Sequence, residues 1–90
     1  MQIRFLSITE KEIYLLGVRL ELSPTEHKLL YEIAKGGKSG VDDLLPCLTA
    51  GVNRGNVAVH INSINQKAAR ISSRKLVVYE DKRYMINPFM

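Results

Sequence analysis

The sequence predicts an α+β domain in which a small antiparallel sheet is followed by three helices and a closing β-hairpin. Three observations carry this expectation. Residues 1–22 alternate loosely between apolar and polar positions and are broken by turn signals, helix-start and helix-face patterns occupy Ser23 to Ile71, and two β-rich runs near the end flank a charged turn.

In the first segment Ile3, Phe5 and Ile8 alternate with polar neighbours, Ile13-Tyr14-Leu15-Leu16 is a short apolar run, and Arg19-Leu20-Glu21-Leu22 alternates cleanly. Turns at Thr9-Glu10-Lys11 and Gly17 divide it into about three strands with one buried face. Ser23-Pro24-Thr25-Glu26 then reads as a helix start. Serine at the N-cap and glutamate three residues later satisfy each other's exposed amides, and proline suits the first helical position. Leu29, Leu30, Ile33 and Ala34 form an apolar face, and Gly36-Gly37 offers a left-handed stop, so this helix is expected from Pro24 to Lys35. Val41, Leu44, Leu45 and Leu48 predict a second helix, kinked or ended early by Pro46. After a loop from Thr49 to Gly55, the apolar positions Val57, Ile61, Ile64, Ala68 and Ile71 recur at steps of four, three, four and three. That spacing predicts a long helix over about 56–71, capped by Asn56 or by Asn53. Leu76-Val77-Val78-Tyr79 and Tyr84-Met85-Ile86 are expected to pair across Glu80-Asp81-Lys82-Arg83 in a hairpin over 75–87.

With 90 residues the chain suffices for one core, and a single domain over 1–90 is expected. At 46% hydrophobic and 24% charged residues it has the makeup of a globular protein, which argues against disorder. No stretch approaches the roughly 18 apolar residues of a membrane span, and Met1-Gln2-Ile3-Arg4 lacks the apolar segment of a signal peptide, so no membrane partner and a cytoplasmic location are expected. The single cysteine, Cys47, has no partner for a disulfide or a zinc site and is expected to be a small buried hydrophobe.

Charge is unevenly placed. Residues 1–45 hold six Lys/Arg and seven Asp/Glu, whereas residues 46–90 hold seven and two. From Pro46 to Tyr79 there is no carboxylate, while Arg54, Lys67, Arg70, Arg74 and Lys75 all fall there. Such a segment favours a polyanion, the alternative being a solvated basic face. Catalysis finds no support: His27 and His60 lie on different helices with no nucleophile or paired carboxylates at a usable spacing. Asp42-Asp43 reads as charge in the first turn of a helix, and Gly36-Gly37 with Gly40 lacks the Gly-Lys-Ser/Thr of a phosphate loop. No enzyme activity, metal or cofactor is expected.

Sheet, three helices and hairpin in this order suggest a winged helix-turn-helix, whose third helix enters the major groove of DNA while the hairpin, or wing, reaches a neighbouring groove. Leu22-Ser23-Pro24-Thr25-Glu26-His27-Lys28-Leu29-Leu30 resembles the Leu-Thr-Pro-Thr-Glu-Phe-x-Leu-Leu opening of OmpR/PhoB-type effector domains of response regulators. Ser39 to Leu45 is similar to their second-helix Ser-Arg-Glu-Glu-Leu-Leu pattern with one residue more, and Val57 to Lys67 resembles their Val-Asp-Val-His-Ile-x-x-Leu-Arg-x-Lys. The chain departs from the family where DNA would be touched. Ser63 and Asn65 stand where basic residues are usual, Ala58 replaces an acidic residue, and His27 sits at a commonly aromatic place. The wing glycines are replaced near Asp81 and Arg83, although Tyr84 is kept.

The resemblance implies a sequence-specific, DNA-binding transcription regulator, the effector domain of a two-component response regulator or a stand-alone relative. The family also carries a phosphorylatable receiver domain before this one, which these 90 residues do not hold. Expected DNA contacts are Arg54, Asn56, Val59, His60, Asn62, Ser63, Gln66, Lys67, Arg70, Arg74, Lys82 and Arg83. Opposite the core positions, Val59 would meet a thymine methyl, while Asn62 and Gln66 would pair with adenine. Phosphate contacts would fall to Arg54, Arg70, Arg74, Lys82 and Arg83. Double-stranded DNA is the expected partner, bound by a homodimer or tandem copies, with RNA polymerase as a further candidate. The alternative reading is a protein-interaction module on the same fold, motivated by the weakly basic face of Asn62, Ser63 and Gln66.

Overall fold

A computed structural model describes residues 2–3, 5–36, 39–44 and 54–88. Strands β1 (Gln2–Ile3), β2 (Leu6–Ile8), β3 (Ile13–Leu15) and β4 (Val18–Leu20) form an antiparallel sheet in the order β1-β2-β3-β4. The sequence suggested about three strands here. The extra one arises because the chain doubles back after Ile3, which pairs with Leu6. Leu6 and Ile8, rather than Phe5, then set the core-facing parity. The β3–β4 turn is the pair Leu16-Gly17, both with positive φ, at 52° and 81°. Leu16 thus belongs to the turn, and Ile13 pairs with Leu20.

Helix α1 (Pro24–Gly36) starts where the sequence placed it. Glu26 N–H donates to Ser23 Oγ at 3.2 Å, and Ser23 N–H donates to Glu26 Oε1 at 2.8 Å, the two halves of a capping box. His27 Nε2 donates to the Thr9 carbonyl at 2.9 Å, tying α1 to the β2–β3 turn. The expected apolar face is buried throughout, from Leu29 to Ala34.

A strand that the sequence did not reveal, β5 (Ser39–Gly40), leads into the single helical turn α2 (Val41–Leu44). Asp43 Oδ2 accepts the Gly40 N–H at 3.1 Å, which anchors the start of that turn. Among the described residues there are two full helices, not the three expected. The second is represented by α2, and Pro46, Cys47 and Leu48 lie outside the described residues. Helix α3 (Arg54–Ala68) begins two residues before Asn56, which is therefore inside the helix and not its cap. Asn53, the other candidate cap, lies outside the described residues. The helix also stops at Ala68 rather than near 71. Its carbonyl there accepts the amides of both Ile71 and Ser72, closing a terminal turn.

The hairpin is β6 (Val77–Glu80) and β7 (Arg83–Ile86), joined by Asp81-Lys82. Both turn residues have positive φ, 52° and 61°, the geometry that matches strand twist in a two-residue hairpin. β5 adds to β7 on its other side, giving a second sheet in the order β5-β7-β6. Leu15, Leu30, Ile33, Leu44, Val57, Ile64 and Leu76 are among the side chains that close one core between both sheets and the helices. Among the described residues no helix is long and apolar enough to cross a membrane.

Candidate nucleic-acid interface

With Val57, Ile61, Ile64 and Ala68 packed inward, a rotation of about 100° per residue turns the other side of α3 to solvent. Val59 is 64% exposed, and Asn62, Gln66 and Arg70 are exposed with it; His60 is half-buried. Beyond the helix, Arg74 and Lys75 are exposed, as are Lys82 and Arg83 at the hairpin tip. Arg54 and Asn56 lie on the first turn of α3, and their side chains are outside the described residues. A groove of about 470 Å³ separates helix and hairpin, with Ala58, Asn62 and Asn65 on one wall and Val78 and Tyr79 on the other. Tyr79, 56% exposed, packs across the hairpin on buried Tyr84, ring centroids 4.7 Å apart at 57°.

Two of the expected contact residues are engaged within the protein. Lys67 Nζ reaches Glu26 Oε1 at 2.5 Å, an ion pair between α3 and α1 whose carboxylate side chain is only 4% exposed. Ser63, half-buried, also hydrogen-bonds this carboxylate. Burial alone would raise the Glu26 pKa. The Lys67 ammonium, the Ser23 amide and the Ser63 hydroxyl outweigh it, and the carboxyl is brought from its ordinary 4.5 down to about 2. One oxygen thus serves the α1 cap and the α1–α3 link together.

Asn65 was not among the expected contacts, and it holds the helix from the other side. Its Nδ2–H donates to the Val77 carbonyl at 3.0 Å, and its Oδ1 accepts the Val77 N–H at 2.9 Å. Sequence could have hinted at these roles. A carboxylate in a capping box next to an apolar face, and a carboxamide next to a core isoleucine, are both at the boundary where polar side chains are half-buried. The partners, 41 and 12 residues away, are visible only in the fold. At two positions where the resembling family has basic residues, 63 and 65, this chain instead carries internal fastenings.

The architecture is a winged-helix fold: helices α1 and α3 packed against a hairpin, with a small sheet in front. The solved DNA-binding domain of the response regulator AdeR, in complex with an intercistronic region, shares it with a TM-score of 0.85 at 14% sequence identity, covering 97% of this chain and 98% of that one. No family model and no curated protein matches the chain by sequence.

Proposed function

We propose that this chain binds duplex DNA as the effector domain of a transcription regulator of the OmpR/PhoB type, in a two-component system or as a stand-alone relative, in the cytoplasm and without catalytic activity. One observation carries the reading. The face of α3 that the core leaves free exposes Asn62, Gln66 and Arg70, it borders a groove toward a hairpin whose tip exposes Lys82 and Arg83, and α3 itself has no acidic residue. Support comes also from the fold, since the AdeR domain that shares it was solved on an intercistronic region. In this reading α3 lies in the major groove, with Val59, Asn62 and Gln66 against base edges. Arg70 and the wing cations meet phosphates, and copies of the domain pair or line up on repeated half-sites.

A salt titration of binding to mixed genomic DNA tests it. Affinity should fall linearly on a log–log scale, and Arg70→Ala should lower the slope by about one on every sequence. Absence of binding even at low salt would move the reading to a protein-interaction module.

A further inference from the structure

Among the described residues β6 is an edge strand, with β7 on one side and no strand on the other. Asn87 N–H donates to the Leu76 carbonyl at 2.8 Å, in the register that pairs Val77 with Ile86. Antiparallel pairs alternate, so the N–H and C=O of the next residue, Val77, point away from β7. Val77 is 1% exposed, and both groups would be buried without partners, at a cost of lost hydrogen bonds. The Asn65 carboxamide supplies both, donating at 3.0 Å and accepting at 2.9 Å. It is a one-residue substitute for a neighbouring strand. Asparagine is the shortest side chain that offers a donor and an acceptor in one plane, and aspartate in its place would lack the donor.

We infer that Asn65 is a positioning residue that couples the wing to α3, so that the helix face and the wing tip meet DNA as one rigid body. The inference rests on the DNA-binding reading above. Asn65 lies between Ile64, which is fully buried, and Gln66, which is exposed on the proposed base-reading face, and it grips the first residue of the strand that carries the wing. A loosened wing would have to be ordered on each encounter, and its cations would then contribute less to affinity.

The test is a double-mutant cycle on a mixed-sequence duplex, with Asn65→Ala on one axis and the joint substitution Lys82→Ala, Arg83→Ala on the other. Circular dichroism verifies folding, and hydrogen exchange at the Val77 amide reports the clamp without DNA. The wing substitution should weaken binding about tenfold in the wild-type background but only about two- to threefold beside Asn65→Ala, with faster exchange at Val77. Should Asn65→Ala not fold, Asn65→Gln, which keeps both groups but displaces them by one methylene, takes its place with a smaller coupling. Equal wing losses in both backgrounds, with the wild type binding DNA, would overturn the inference and leave the DNA reading standing. A wild type that binds no duplex at low salt would overturn both.

Discussion

The two long helices are built on similar apolar spacing, yet they use their polar residues in opposite ways. α1 carries charges of both signs and follows its own dipole, with Glu26 in the first turn and Lys35 in the last. α3 has no acidic residue in its first turn, begins with Arg54, and carries Lys67 in its last turn. Its polar residues divide further. Ser63, Asn65 and Lys67 are fastened to the rest of the protein, while Val59, Asn62, Gln66 and Arg70 face solvent. α1 is therefore an electrostatically complete anchor. α3 is held firmly on both flanks, by Ser63 and Lys67 on one and Asn65 on the other, and has a face with no counter-charge of its own, which is what a partner rich in phosphate would require.

Glu26 is where this contrast is most easily broken, because it belongs to α1 and holds α3. Glu26→Ala should cost about 2–3 kcal/mol, since it removes half of the capping box and leaves Lys67 without its partner, the ammonium's partial exposure moderating the loss. Chemical denaturation measures it. The pH dependence follows from the lowered pKa. A carboxyl near 2 in the folded protein and about 4.3 in the unfolded chain contributes stability that is complete above about pH 4.5 and lost as pH falls toward 2. Melting curves of Glu26→Gln should be flatter across that window than those of the wild type.

Ser23→Ala sharpens the comparison by touching α1 alone. Loss of the Oγ acceptor for the Glu26 amide should cost about 1 kcal/mol, seen as a lower melting temperature, with DNA affinity unchanged in the folded protein. A smaller and opposite effect is expected at the wing. Lys82 adopts a left-handed conformation at φ 61°, which strains any residue with a β-carbon. Lys82→Gly should raise stability by about 0.5 kcal/mol, the relief being partly offset by a freer unfolded chain. The same change should weaken DNA binding through the lost cation, so that melting and affinity move in opposite directions.

Much of this was legible in the sequence, for reasons that particular residues make plain. The capping box is a local pattern with a local cause, and α1 starts at Pro24 as expected. Periodicity placed Val57, Ile61, Ile64 and Ala68 in the core, and the solvent-facing side of α3 followed from it. Local signals failed where the decision is made at a distance. β5 is two residues long and exists because β7 lies beside it. Leu16 gives no sign of a left-handed turn, since only the pairing of Ile13 with Leu20 demands it there. Lys67 was expected to touch DNA because it lies in a segment without carboxylates, but Glu26 is brought to it by packing of α1 against α3. Asn65 presented itself as a missing cation, and its partner, an edge-strand backbone, leaves no mark on the sequence.

The division of α3 into fastened flanks and a free face is tested most directly by selecting binding sites from a random DNA pool with the wild type, Asn62→Ala and Gln66→Ala. Asn62 and Gln66 are exposed and have no part in the contacts with Glu26 or Val77. Each substitution should therefore leave folding and nonspecific affinity nearly intact while relaxing preference at one base position by about 1–3 kcal/mol. The same sequence preference in all three proteins would contradict the account and remove this face of α3 from base recognition.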